Sequence, residues 1–437
     1  MNRRLRLFAL FFLPFTTLQA QNGLYFPPKT GIAWETLAPD SLGFCPERID
    51  SLYAYLDDRG TKGFLLLQDG RIVLEKYFDT FTRDSIWYWA SAGKTLTAFL
   101  VGQAQEQGLL DIGEPTSTYL GQGWTTCPPD KEAQITVRHQ LTMTSGLQDN
   151  VPNDNCKADS CLLYLADAGT RWAYHNAPYL LLQDVIEAAS GQSYNQFTTA
   201  QVKSRTGMIG FWFDGVYYSR PRDMARFGLL MQAGGIWDGD TLLADQKYLF
   251  DATHPSQQIN KSYGYLWWLN GQPSFMLPDV QIVFPGKIVP NAPDDMIAAL
   301  GKNDQKIHIV PSRGWVIVRM GEAGYTGPGG GNVPVIFDNV MWDYLNRLDC
   351  NIVNAHQPEP SPSRIQAWPN PTRDAWVIES EYPIETAGLF AFDGRLCRSV
   401  SAAGTYQLQI DAAGLPPGVY ALIVQTKTGV EKIRLVK

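Results

Sequence analysis

Ser91-Ala92-Gly93-Lys94 places a hydroxyl and an amine three residues apart, where the strand-like texture of Trp-Tyr-Trp gives way to a helical pattern. Positions three apart on a helix share a face, so the Lys94 amine can reach the Ser91 hydroxyl. An alkyl hydroxyl is a poor nucleophile until a neighbour takes its proton. A lysine can take it only when neutral, and burial together with the positive end of a helix dipole pushes it that way. The chemistry open to this pair is nucleophilic attack by Ser91 with Lys94 as general base. No other lysine in the chain has a serine three residues before it.

The elements that must carry the pair follow from the spacing of apolar residues. Leu96, Phe99, Leu100 and Ala104 recur at helical intervals up to Gly108, so the spacing predicts a helix that begins at the serine. Apolar runs over 63–68 and 71–78 flank Asp69-Gly70, which predicts a β-hairpin with a tight turn. A second helix is expected from Pro178 to Ala189, stopped by Ser190-Gly191. Later β-rich runs over 295–300, 307–311 and 314–320 lead into a helix-like stretch from Phe337 to Leu348. Strands at both ends with helices between them predict an α+β unit, an antiparallel sheet carrying helical layers. From His356 the chain has three prolines in eight residues and no apolar period, the mark of a linker at 356–366. The large unit is therefore expected over 21–355. Short β runs with Gly and Pro turns make 367–437 a small all-β sandwich.

Of the 437 residues, 45% are hydrophobic and 18% charged, enough to bury a core and too many for a disordered or low-complexity chain. A net charge of -7 leaves no basic stripe for a phosphate backbone, so no nucleic-acid partner is expected. Arg3, Arg4 and Arg6 precede the apolar run Leu7 to Phe15 and the small residue Ala20, the pattern of a secretory signal peptide over 1–20. That run is too short to span a bilayer, and no later stretch approaches ~18 uninterrupted apolar residues. In an oxidising compartment some of the six cysteines should pair. Cys156 and Cys161, in a polar loop-like stretch, are the easiest local pair, and the remaining connectivity stays open. The cysteines and the five histidines lack metal-ligand spacing, so neither a metal nor another cofactor is expected.

With its Ser-x-x-Lys element as first motif, the chain resembles the serine β-lactamase and penicillin-binding-protein superfamily, in particular the class C-like branch of esterases, D-aminopeptidases and oligomer amidases. Residues 135–147 look like that branch's characteristic segment, Tyr174-His175-Asn176 matches its Tyr-x-Asn second motif, and 220–230 is similar to a further family segment. The resemblance implies a β-lactamase/transpeptidase-like antiparallel sheet flanked by helices, with a helical subdomain. It also implies that Tyr174 faces the serine and shares proton traffic with Lys94, while Asn176 holds Lys94 or a substrate amide. His175 points away from its two neighbours in an extended segment and is given no catalytic role.

The family's third motif is usually Lys-Thr-Gly or a His-x-Gly variant. The literal Lys427-Thr428-Gly429 lies beyond the linker, where a turn is the economical reading. The better positional match is Ala299-Leu300-Gly301-Lys302-Asn303-Asp304-Gln305, similar to the Gly-x-x-Gly-Gln of related hydrolases. There Gly301 would let substrate approach the strand, and the N–H groups of Lys302 and Ser91 would form an oxyanion hole. Ala299 stands where the motif's cation belongs, which argues against a β-lactam or a peptide carboxylate as the first choice of substrate. Tyr263 to Trp268 resembles the family's aromatic strand, with Trp268 expected to line the pocket.

Trp368-Pro369-Asn370-Pro371, Asp393-Gly394-Arg395, Gly414-Leu415-Pro416-Pro417-Gly418-Val419-Tyr420 and a terminal Lys-Ile-Arg-Leu-Val-Lys look like the C-terminal sorting domain of the type IX secretion system of Bacteroidetes. That resemblance implies the type IX machinery as a partner and an extracellular or outer-membrane-surface location. The expected function is that of a secreted serine hydrolase acting through an acyl-enzyme on a small-molecule or peptide-like ester or amide. The alternatives are a true β-lactamase or D,D-carboxypeptidase, and a non-catalytic surface protein on the same scaffold. An α/β-hydrolase is disfavoured because Trp89 replaces the first glycine of its nucleophile elbow.

Overall fold

The computed structural model describes residues 23–279, 281–324, 335–350, 365–391, 396–426 and 429–437. The expected signal peptide, most of the linker, Asp393-Gly394-Arg395 and Lys427-Thr428 lie outside them.

Helix α1 (Pro46–Asp58) leads into the hairpin of β1 (Thr61–Gln68) and β2 (Arg71–Tyr77). Asp69 and Gly70 make its turn with φ of 48° and 85°, as a two-residue link between twisted strands requires. The chain then runs through α2 (Gly93–Glu106), α3 (Asn176–Ser190) and α4 (Pro221–Gln232). It returns as β3 (Trp268–Leu269), β4 (Ile297–Gly301), β5 (Gln305–Val310) and β6 (Trp315–Gly321), followed by α5 (Val335–Asn346). The sheet order is β2-β1-β6-β5-β4-β3, with every pair antiparallel. The two ends of the unit thus meet side by side, Leu65 opposite Val318. Cys45–Cys350 crosslinks the same two ends, and Cys156–Cys161 closes a local loop as expected.

Helices cover both faces of the sheet. On β5, Lys306 and His308 meet Asp338 of α5, while Ile307 between them meets Gly228 of α4. Alternation along the strand therefore sets α5 and α4 on opposite sides. A Cβ at Gly228 would lie 2.4 Å from Cγ1 of Val316, so this glycine lets α4 lie directly on the sheet. Burial on both faces also explains why Phe64 to Leu67 read as one apolar run with no polar alternation.

The α5 face buries charge. Lys306 Nζ lies 2.8 Å from Asp338 and 3.2 Å from Asp304, and His308 Nε2 lies 3.0 Å from Asp338. Trp342 Nε1 donates to His308 Nδ1 at 3.1 Å, which leaves Nε2 to carry the proton toward Asp338. Arg319 donates to Thr61 Oγ1 and to the carbonyls of Arg59 and Asn303. Burial works against the Asp338 anion, yet Lys306 and His308 hold its carboxyl below the usual range. Two cations against two anions make the cluster neutral, the condition under which buried charge is tolerated.

Two helix starts differ from expectation. Ser91 lies in a 3-10 turn, Ala90–Ala92, with α2 beginning at Gly93. Helix α3 begins at Asn176 instead of Pro178, because the Asp154 carbonyl accepts the Ala177 N–H at 2.7 Å and so satisfies one of its first-turn donors.

The C-terminal unit is all β and sandwich-like. It is built from β7 (Ile365–Trp368), β8 (Ala375–Ala391), β9 (Leu396–Asp411), β10 (Val419–Thr426) and β11 (Gly429–Val436). The long β8 pairs β7 and β9 along its first half, then β9 and β10 past a register shift between Glu379 and Ile384. It has its own core, with Trp376, Ile378, Leu389, Leu422 and Leu435 buried.

Replacing Lys306 with Met keeps the bulk but leaves Asp304 and Asp338 without their shared cation. Lys306→Met is expected to lower stability by about 3–5 kcal/mol, read as a fall in the urea midpoint of the large unit. An unchanged midpoint would contradict a neutralising role.

Candidate active site

The turn that carries Ser91 is fixed from both sides. Trp89 is fully buried, donates from Nε1 to Ser219 Oγ at 2.7 Å, and its backbone N–H donates to the Tyr217 carbonyl at 2.8 Å. Ala90 then takes a left-handed φ of 48°, a conformation that costs a non-glycine residue about 1–2 kcal/mol and that surrounding contacts must enforce. On the other side lies the end of β4. A Cβ at Gly301 would sit 2.4 Å from the Trp89 carbonyl oxygen and 3.0 Å from the Ala92 nitrogen. The expectation that Gly301 makes room for substrate is thereby corrected, since the nucleophile's own backbone fills that space.

Lys94 is only 4% exposed. Its Nζ lies 3.0 Å from Ser91 Oγ and 2.8 Å from Asn176 Oδ1, so Asn176 holds the lysine. The rings of Tyr179 and Tyr174 lie 4.3 Å and 5.1 Å from the amine. Burial pulls its pKa down to about 7, opposed by the attraction of Asp154. The neutral amine is therefore accessible near pH 7. Such an amine, donating one N–H to Asn176, keeps a lone pair for the Ser91 proton.

The Tyr174 phenol faces the Ser91 side chain, which works against the rise that burial gives its pKa. Burial pushes its pKa well above the ordinary value, so the phenol stays protonated at rest and can relay a proton without carrying charge. Its ring stacks on Trp268 at 5.9 Å and meets the edge of Tyr263 at 6.2 Å. Trp268, expected to line the pocket, is 2% exposed and backs Tyr174 instead. The reason is its packing on the edge strand β3, where the rings of Trp172 and Tyr263 cover it. His175 is buried, neither ring nitrogen has a hydrogen-bond partner, and burial lowers its pKa to about 4, so it is neutral at physiological pH.

After Gly301 the chain turns sharply. Asn303 and Asp304 both have left-handed φ, 59° and 62°, and Asp304 occupies the position where the similar motif has a glycine. Its strain is offset by bonds: Oδ2 accepts the Gly324 N–H at 2.8 Å and Oδ1 faces Lys306. Gln305 clamps the turn from below, donating to the carbonyls of Lys302, Asn303 and Gly321. The Lys302 side chain is exposed. Thr426 pairs with Gly429 in the C-terminal sheet, so the literal Lys-Thr-Gly stretch is flanked by the strands of another unit.

Sequence reasoning missed Tyr179 and Asp154. Tyr179 sits three residues after Asn176 on α3 and shares its face, which the correct helix start would have shown. Asp154 donates nothing to any recognisable spacing, yet its Oδ2 accepts Asn176 Nδ2 at 2.7 Å. Among the described residues no group of three or more His, Cys, Asp or Glu side chains could hold a metal ion, and no helix is long and apolar enough to cross a membrane.

A family described as Beta-lactamase matches residues 50–340, and one described as a secretion system C-terminal sorting domain matches 366–437. A Bacillus subtilis (strain 168) protein provisionally described as the penicillin-binding protein PbpX is 27% identical over 191 residues, 40% of this chain and 47% of that protein. The chain thus matches about half the length of that relative. A Bacillus anthracis structure provisionally described as a 6-aminohexanoate-dimer hydrolase aligns with a TM-score of 0.57 at 17% identity, covering 74% of this chain and 89% of that one. A penicillin-binding protein homologue from Caulobacter crescentus aligns with a TM-score of 0.52 at 14% identity, covering 69% and 98%. At these identities the structures establish the fold.

Two outcomes test the geometry. With Lys94 as base, kcat/KM falls about tenfold per pH unit below a limb near 7 and levels above it, since protonation removes the lone pair. A profile flat from pH 5 to 8 would exclude the lysine. Tyr174→Phe is expected to lower kcat by about 10²-fold or more with the fold intact by circular dichroism.

Proposed function

The chain belongs to the Beta-lactamase family and ends in a sorting domain that implies export to the cell surface or beyond, and from that premise we propose that it is a serine hydrolase forming an acyl-enzyme on Ser91 with an ester or amide substrate. The observation that carries this reading is the convergence of Ser91 and Lys94 with Tyr174 and Asn176 from two separate stretches of the chain, with a lysine buried enough to be a base near neutral pH.

The steps follow from the contacts. Lys94 takes the Ser91 proton as Oγ bonds to the substrate carbonyl carbon, whose oxygen becomes an anion. The backbone N–H groups of Ser91 and Lys302, on the turn and just past the strand end that Gly301 brings together, are assigned to that oxyanion. The proton passes through Tyr174 to the leaving oxygen or nitrogen, the acyl carbon–heteroatom bond breaks, and water then attacks the ester on Ser91 with the same groups as base and relay. In this reading 1–20 is a signal peptide, 21–355 the catalytic unit, 356–366 a linker and 367–437 the secretion signal read by the type IX machinery.

Ala299, in the cation's place, is fully buried, and Lys302 is exposed. That favours esters and simple amides over β-lactams, whose carboxylate needs a fixed cation. The resemblance to penicillin-binding proteins keeps β-lactamase or D,D-carboxypeptidase activity as the second reading.

A panel of p-nitrophenyl esters run beside nitrocefin separates the two. Ester turnover is expected to dominate and to drop roughly 10³-fold in Ser91→Ala and in Lys94→Ala, because nucleophile and base act as a unit. Fast nitrocefin loss with little ester cleavage would favour the second reading, and turnover that survives Ser91→Ala would refute both.

A further inference from the structure

The chain of contacts from Lys94 runs one residue beyond Asn176. Asn176 accepts from Lys94 Nζ at Oδ1 and donates from Nδ2 to Asp154 Oδ2 at 2.7 Å. We propose that Asp154 is a positioning residue for acylation, locking the Asn176 amide in the one rotation that presents a carbonyl oxygen to Lys94. The proposal rests on the reading of Lys94 as base.

An amide has nearly the same outline in either flip but opposite chemistry at its two ends. Were Asn176 turned over, its NH₂ would take up the lone pair of the neutral amine, leaving none for Ser91, and its carbonyl oxygen would face a carboxylate, an unfavourable contact. The Asp154 carboxylate forbids that flip. In the rotation observed, the Asn176 oxygen takes one N–H of the neutral amine and directs the lone pair elsewhere, toward the Ser91 hydroxyl.

Asp154 is itself held in place. Its carbonyl accepts the Ala177 N–H at the start of α3, and two residues later the Cys156–Cys161 bridge closes the loop. Lys157 Nζ bonds both carboxylate oxygens of Asp184 on the same helix, at 2.8 Å and 2.7 Å, and Arg171 pairs with Asp149 at 2.7 Å. The loop is thus clamped to the helix that carries Asn176 and Tyr179.

The charges around the amine give Asp154 a second effect. Ser91 faces it from the nucleophile turn, Tyr174 from the segment before α3, and Asn176 and Tyr179 from α3. His175, Asp149, Arg171 and Asp154 lie behind them. The tyrosines stay protonated, His175 is neutral, and Asp149 is paired with Arg171. Asp154 is therefore the anion that favours the ammonium form of Lys94. Its charge raises the pH at which the lysine becomes a base, while its hydrogen bond aims that base.

Substitution separates the two effects. Asp154→Asn keeps an acceptor oxygen for Asn176 but removes the charge, and Asp154→Ala removes both. On the full-length protein, the rate at which a fluorophosphonate probe labels Ser91 is followed by intact mass against pH. In Asp154→Asn the acid limb is expected to move to lower pH by roughly half a unit or more. In Asp154→Ala the plateau rate is expected to fall about tenfold or more, as for a misaimed catalytic group. Should Asp154→Ala not fold, the limb of Asp154→Asn decides alone. A plateau in Asp154→Ala equal to the parent's would overturn the proposal, as would, where that variant does not fold, a limb in Asp154→Asn that overlays the parent's. If instead the parent is not labelled, or Lys94→Ala labels as fast as the parent, the reading of Lys94 as base fails, a different and distinguishable result.

Discussion

A lysine amine kept almost wholly from water, within hydrogen-bond reach of one serine, is the interaction around which the hydrolase unit is arranged. Desolvation disfavours the ammonium and brings the pKa of an ordinarily protonated group down to about 7, as the proposed role of base requires. The penalty must be sustained by structure. Two tyrosine rings, an amide and the first turns of two helices exclude water there, and a distant carboxylate limits how far the amine is discharged.

The second constraint is the approach of β4 to the nucleophile turn. Backbone meets backbone there, which only a glycine permits, and the turn beyond holds two left-handed residues in succession. Such strain persists only where neighbours over-determine it. Gln305, Arg319 and Asp304 supply those bonds, and the ion cluster of Lys306, His308 and Asp338 anchors them to α5. The charged cluster thus holds the turn that follows Gly301.

Much of this was legible in the residues, and what escaped has a common cause. Ser91 and Lys94 are one helical turn apart, and the Asp69-Gly70 turn is local chemistry, so short-range rules reach both. Tyr174 and Asn176 were legible through a motif, and the sorting domain through its turn words. Asp154 was not, because its partner lies 22 residues away and nothing in Asn-Asp-Asn-Cys distinguishes one acid from another. Cys45–Cys350, separated by 305 residues, is beyond any spacing rule. Lys306 and His308 alternate with Ile307 and Ile309, the pattern of a strand with one wet face, whereas α5 covers that face and supplies the counter-charge. Trp268 and Gly301 fell to the same limit: residue type named their neighbourhood, and packing decided what they touch.

Titration of Lys94 itself tests the central claim most directly. In protein carrying isotope-labelled lysine, the side-chain Cε resonance missing from Lys94→Ala can be followed by NMR against pH. The account predicts a midpoint of about 7, set by burial. A midpoint of about 10.4, the value of a solvated lysine, would contradict it.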